Sequence, residues 1–459
     1  MKIIYIPIEI KARELISKLF FIADNINQDF VFFIGNKLDT RRAASLLGKG
    51  IYFYKSINWY DTEHIKSIKK RGNKYISLDE EGGATQSDEK SFQLYLNYRS
   101  SLENISLVDR IFTWGDFDFR GWCEKYEDYS SKIFETGSPR FDLWRENIYS
   151  QIFKDEIAEL KKYSPFFFIP STFISSYEWL QKEIANEKRM KKNNSKISEE
   201  ILNKRINARK DSYKNHLEYI KIIKKLSKDF PDHKIIIKPH PTEKVFDWKK
   251  NFEESNNYYN VLVDNKYDLT SYIAASECVI FSESTAGIQS IMMGKKAISY
   301  NLKNNVTFRN FANKCAPNTS NYKTLLDYLK LKDDPRNNNI YKKIIESRFY
   351  MSNETSSKMI MNNIKNLQKN EIELNKLIIK SKLYGTYFWV KDSLKLFLIR
   401  IKDSIFSKKT KFKSYSLKMP GGIKRIEIER VFKNLKLINQ VNIKKFSKSG
   451  YIIYKKNSL

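Results

Sequence analysis

Two doubly wound α/β domains followed by a basic, helical extension are predicted from three observations. Short apolar runs alternate with helical segments from the start of the chain, the same alternation begins again after about residue 150, and basic residues crowd the last fifth of the 459 residues. Alternating strand-like and helix-like segments are the rhythm of a parallel sheet wrapped by helices. A length of 459 residues also exceeds one ordinary domain of about 100–200 residues.

The first domain is predicted over residues 1–150. Strands are expected at 3–6, 30–34, 51–54, 75–78, 110–114 and 132–135, with helices at 12–23 and 40–47 between the earliest of them. The second is predicted over residues 151–330, opening with the run Phe166-Phe167-Phe168-Ile169. A charged helical insertion at about 177–228 interrupts it, and its middle, 187–210, reads as a protruding, solvated helical pair or a mobile loop, or as an acceptor or partner contact. Strands resume at 234–238, 261–263, 278–281 and 297–300, with a helix at 267–277 and another from Thr285 to about Gly294. Residues 331–459 form the extension, with a turn at Pro420-Gly421-Gly422 and a last helix near 426–435.

The formal charge is +30, and from Lys376 onward 22 Lys and Arg stand against 4 Asp and Glu, so more than half of the net charge lies in the extension. Such an excess attracts polyanions: nucleic acid, anionic lipid or a phosphorylated substrate. Within it, residues 383–401 mix Tyr, Phe, Trp and Leu with lysines, a pattern that fits either an interfacial membrane contact or a helix packed on a core. No run reaches the roughly 18 apolar residues of a membrane span. The opening residues read as a first strand, with no cleavage site of a secretory signal. Cys123, Cys278 and Cys315 lack metal-site or disulfide spacing and read as reduced thiols of a cytosolic protein. His64, His216 and His233 do not gather with Cys or Asp, so no metal is expected, and there is no phosphate-binding glycine fingerprint.

Two motifs stand where buried strands should end. Lys238-Pro239-His240-Pro241 closes the run 235–237, and Ser282-Glu283-Ser284-Thr285 closes 278–281 before a helix. Ligands of open α/β sheets collect beyond the carboxyl ends of the strands, and a helix N-terminus preceded by Ser and Thr suits a phosphate. Lys238 and His240 would add a charge and a donor; the plainer role for His240 is that of a loop histidine. Glu80 and Glu81 adjoin Gly82-Gly83 at another strand end, where either is a general base or a surface acid. Asp142, after Gly137, Pro139 and Arg140, is a cleft carboxylate or the cap of the next helix. Arg140 is its salt-bridge partner or a site for a substrate carboxylate.

These segments, with Thr136-Gly137-Ser138-Pro139-Arg140-Phe141-Asp142 and Leu78-Asp79-Glu80-Glu81-Gly82-Gly83, resemble those of bacterial surface-polysaccharide enzymes of GT-B architecture. That group includes capsule synthesis proteins, CDP-glycerol glycerophosphotransferases and relatives of the retaining β-Kdo transferases. The motifs amount to about twenty residues of a resemblance spanning roughly 1–320, and Ser138 stands where many relatives have Asn. The resemblance implies two domains facing a cleft, with Lys238, His240, Ser282, Glu283, Ser284 and Thr285 on the donor phosphates. It implies a CMP-linked ulosonic acid such as Kdo as donor, and Asp142 as the nucleophile of a double displacement that retains configuration. The acceptor would be a glycan or glycolipid, with the enzyme peripheral on the inner face of the cytoplasmic membrane, without cofactor or metal. Transfer of a polyol phosphate from a CDP-alcohol uses the same motifs with no covalent Asp. A 2-epimerase sits less well with the basic tail, and a nucleic-acid-binding protein less well with the acidic strand ends.

Overall fold

The computed structural model describes residues 1–80, 88–192, 198–252, 258–301, 311–331, 335–406 and 418–456. It divides into two compact units, one formed by the chain up to Ile152 together with Glu346 onward, the other by Phe153–Ile345. Both are Rossmann-like, parallel-sheet α/β units, as the alternation predicts.

In the first unit, β1 (Lys2–Ile8), β2 (Phe30–Asn36), β3 (Ile51–Tyr54), β4 (Lys74–Leu78), β5 (Arg110–Thr113) and β6 (Ile133–Glu135) are all parallel. The run Ile3–Ile6 is wholly buried, as a strand covered on both faces must be. With β13 (Val441–Lys445) and β14 (Gly450–Lys455) at one edge, the sheet order is β13-β14-β2-β1-β3-β4-β5-β6. The chain therefore moves outward from β1 to β2, then returns to β3 on the other side, which puts a topological switch point between β1 and β3.

The last two strands belong to the C-terminal region. β13 (Val441–Lys445) and β14 (Gly450–Lys455) form an antiparallel hairpin, and β14 pairs with β2, Tyr451 opposite Ile34 and Ile453 opposite Phe32. The extension is helical at Ser356–Ile364, Leu374–Phe406 and Arg425–Asn434, but it is not helical to its end. Residues 450–455 form an apolar run that covers the open edge of β2, an edge otherwise prone to pairing with other chains.

The second unit has β7 (Phe166–Pro170), β8 (Lys234–Lys238), β9 (Val261–Val263), β10 (Cys278–Phe281), β11 (Lys296–Tyr300) and β12 (Asn318–Thr319) in the order β12-β11-β10-β7-β8-β9. All pairs are parallel, and the switch point falls between β7 and β10. The charged insertion forms two helices, Tyr177–Lys192 and Glu199–Asp229. Arg209 reaches Glu187 at 2.8 Å to hold the polar part together. The later turns of the second helix bury Tyr219, Ile223 and Leu226 on the sheet, so this helix is a covering layer of the fold carrying a charged prolongation.

Candidate functional site

The rim of the second sheet at its switch point is built from loops leaving neighbouring strands. β7 runs into Ser171 and an exposed Thr172, and β10 into Ser282-Glu283-Ser284. Thr172 Oγ1 donates to the Ser282 carbonyl at 3.3 Å, joining the two loops. Ser282 Oγ donates to Asn301 Oδ1 at 2.8 Å, and the Glu283 amide to Asn313 Oδ1 at 3.0 Å. Glu283 adopts a left-handed backbone with φ of 50°, which costs a non-glycine residue about 1 kcal/mol or more. Ser284 then caps the helix Thr285–Met292, its Oγ accepting from the Ala286 amide at 3.3 Å. The turn is held in place from three sides and directs the positive end of a helix dipole toward the rim.

Gly287 shows how tightly that helix sits on its strand. A Cβ there would lie 2.1 Å from Cζ of Phe281, so only glycine lets the first turn rest on the β10 ring.

His240 is exposed on the loop after β8, the neighbour of β7. Its Nδ1 accepts from the Thr242 amide at 3.3 Å and meets Thr242 Oγ1 at 2.7 Å, an arrangement that leaves the ring proton on Nε2. Beneath it, buried Glu243 accepts from Ser171 Oγ and Trp248 Nε1, both at 2.6 Å, and from the Phe173 amide at 2.9 Å. Burial pushes its carboxyl up to about 7 despite those donors. Glu243 thereby fastens the β8 loop to the β7 loop.

Lys238 is placed differently from the expectation of a phosphate contact. Its ammonium donates to Asn265 Oδ1 and the Tyr267 carbonyl, both at 2.7 Å, and lies 5.0 Å above the Tyr272 ring. These groups follow β9, on the side of β8 away from β7 and β10. Burial lowers its pKa to about 8, partly offset by Asp268, Asp264 and Glu156.

The first unit concentrates charge at its own switch point. Glu9 follows β1 and Lys55 follows β3, and their charged groups lie 3.0 Å apart. Lys37 at 3.2 Å and Lys418 at 2.9 Å complete the cage. Burial opposes ionisation of Glu9, but the ammonium groups of Lys418, Lys55 and Lys37 outweigh it and hold the carboxyl at about 2. Glu80, after β4, is buried and pairs with Lys18 at 2.7 Å, itself buried on the first helix, Lys11–Asp24. Burial works against the Glu80 charge, yet Lys18, Arg140 and Arg13 leave its pKa lowered. Glu14, one turn before Lys18, accepts from the amides of Glu9 and Ile10. Its pKa is raised by burial and by the charge of Glu80.

Arg140 brings the two first-unit motifs together. Its guanidinium donates to the Glu80 carbonyl at 3.2 Å and lies 5.7 Å from the Trp114 ring, while Trp114 Nε1 donates to the Asp79 carbonyl at 2.7 Å. Asp79 is in turn held by Arg99 at 2.7 Å and by Tyr95 at 2.8 Å. Glu81 lies outside the described residues.

Asp142 corrects the expectation of a nucleophile. It has no exposed surface, and its Oδ1 accepts from the Ser356 amide at 2.8 Å. Its Oδ2 accepts from the Ser357 amide at 3.0 Å and Ser357 Oγ at 2.8 Å. The carboxylate caps the helix Ser356–Ile364, which is distant in sequence and not the one that follows it. Burial, partly countered by these donors, raises its pKa to about 6. A carboxylate so enclosed presents no oxygen to an anomeric carbon.

Of the rim residues that no motif marks, Lys55 and Asn301 directly follow predicted strands and Glu9 and Thr172 stand three residues beyond one, so the position after a strand is a usable signal. Glu14 and Lys18 carry no such mark, since they lie inside a helix. Among the described residues no group of three or more His, Cys, Asp or Glu is arranged to hold a metal ion.

No protein-family model and no curated protein matches the chain. Solved structures do resemble it. The Staphylococcus aureus MnaA complex with UDP matches 81% of this chain and 99% of its own at 13% identity, with a TM-score of 0.49. A Listeria monocytogenes structure described as a putative UDP-N-acetylglucosamine 2-epimerase matches 81% and 98% at 11% identity, with a TM-score of 0.49. The wall teichoic acid polymerase TagF matches 80% and 90% at 11% identity, with a TM-score of 0.45.

Proposed function

We propose that this chain is a nucleotide-dependent transferase of bacterial surface-glycan assembly, and that the switch-point rim of its second unit holds the donor's phosphates. The observation that carries this reading is the Ser282–Thr285 turn. A strained, cross-braced loop delivers a capped helix N-terminus to the place where open α/β sheets bind ligands. Nε2 of His240 supplies a donor from the loop after β8, Thr285 opens the helix that Ser284 caps, and Lys238 steadies the β8 loop from the far side. A cytidine-linked donor is the expectation from the motif resemblance, which is shared by CMP-ulosonic acids and CDP-alcohols.

The enclosure of Asp142 favours direct displacement over a covalent glycosyl-enzyme. In the polyol-phosphate reading the acceptor hydroxyl attacks the β-phosphorus of a CDP-alcohol, its P–O bond to the α-phosphate breaks, and CMP leaves with that bond's electron pair. The hydroxyl proton passes to a base, for which Glu81 is the candidate. Glu80, held ionised by Lys18, and Arg140, which donates to the Glu80 carbonyl, brace the end of β4. A helix dipole and His240 offset the charge on the departing phosphate, so transfer is expected to persist in EDTA.

Incubating the full chain with CDP-glycerol or CMP-Kdo and a lipid-linked acceptor, and following CMP release with product mass, tests the assignment. Polyol-phosphate product from wild type and from Asp142→Asn supports direct displacement. A Kdo product with a glycosyl adduct trapped on Asp142 would refute it.

A further inference from the structure

Along residues 374–394 the helix Leu374–Phe406 has two apolar faces, and the fold uses only one. Leu374, Leu377, Ser381 and Gly385 are buried against the first unit. The attachment is firm: Asp392 receives both guanidinium nitrogens of Arg42 at 2.6 and 2.9 Å, and Arg42 lies 4.3 Å over the Phe388 ring. At Gly385 a Cβ would come within 2.1 Å of the Phe446 carbonyl oxygen, so backbone meets backbone there.

The opposite face carries Ile379, Leu383, Tyr387, Val390 and Leu394, between 44% and 67% exposed. At about 100° per residue these five fall within about 80° of arc, centred roughly opposite the buried face. From Ile379 to Leu394 the ridge runs about 22 Å along the axis. Lys380 and Lys391 border it on one side and Lys382 on the other, with Trp389, 62% exposed, beside Lys382. The one acidic side chain between Leu374 and Leu394, Asp392, is drawn into the Arg42 pair on the inner face. No helix among the described residues is long and apolar enough to cross a membrane.

We propose that this ridge is a peripheral docking surface for an anionic lipid bilayer, with the helix lying flat and its five apolar side chains entering the headgroup boundary. Charge selects the occupant. A stripe of apolar side chains edged by lysines on both sides matches apolar tails beneath negative headgroups, which attract each nearby cation. A second copy of the same face would set those lysines against each other, because a twofold contact presents identical surfaces. Nucleic acid would use the lysines but leave the apolar ridge wet. The surface is independent of the donor chemistry proposed above, and it fixes which side of the first unit faces the membrane.

The test is flotation of the full chain with phosphatidylcholine vesicles containing or lacking about one third phosphatidylglycerol. We expect binding to the anionic vesicles only, weakening as salt rises. Leu383→Asp with Val390→Asp should abolish flotation while leaving the melting temperature and circular dichroism of the full chain within error, since neither side chain supports the fold. Lys380→Glu with Lys391→Glu should reduce binding at least tenfold. Retention of binding by the Leu383/Val390 variant overturns the proposal. So does a wild-type dimer that the same variant dissolves, or capture by single-stranded RNA without capture by vesicles.

Discussion

Asp142 and Glu243 are both buried carboxylates with three donors each, and their consequences differ because of what they hold together. Asp142 joins the end of the first run of strands to a helix more than two hundred residues later. Replacement by Ala leaves two helix amides unpaired in a closed space and should destabilise the first unit by about 3 kcal/mol, read from denaturant unfolding. Glu243 has a folded pKa of about 7 against an ordinary 4.5. Between those values the unfolded chain has released its proton while the folded one keeps it, so this residue makes stability fall as pH rises from about 4.5 to 7, by about 3 kcal/mol. Glu243→Gln should remove that decline, and the difference in melting temperature between wild type and variant across this range checks it. Neither residue's neighbours were legible from sequence. The sequence allows Asp142 to cap the following helix; that it reaches Ser356 and Ser357 instead depends on how the chain returns.

At the level of elements, β1 to β11 are readable because buried parallel strands are short apolar runs, whereas β12, the two polar residues Asn318–Thr319, carries no such signal. The hairpin β13–β14 was not expected, since its lysine-bearing edge strand resembles the rest of the basic tail. The helix Leu374–Phe406 reads ambiguously for a physical reason: its apolar residues lie on two faces, so packing and exposure are both encoded. Gly287 and Gly385 test how these elements meet. Gly287→Val forces a branched side chain into the Phe281 ring and should cost about 1–3 kcal/mol, with loss of nucleotide affinity in proportion, measured by unfolding and by titration. Gly385→Leu should lift its helix from Phe446, seen as new protease cleavage near residue 385.

Across the molecule, both sheets place their polar clusters at the point where strand order reverses, Glu9 with Lys55 in one and Thr172 with Ser282 in the other. The motifs that pointed to the second rim were visible in sequence because they end apolar runs, whereas the cage around Glu9 needs Lys418 from the far end of the chain. Truncation after residue 372 removes that lysine and the hairpin on β2, and should leave the first unit aggregated through its open strand edge, visible by light scattering. The central claim, that the second rim holds donor phosphates, is tested most directly by calorimetric titration of the full chain with CDP, beside His240→Ala and Ser284→Ala. The account predicts saturable binding to wild type, weakened at least tenfold in His240→Ala and severalfold in Ser284→Ala, with both variants folded. Binding unchanged in both variants, or no binding of CDP, CMP, UDP or GDP to wild type, would contradict it.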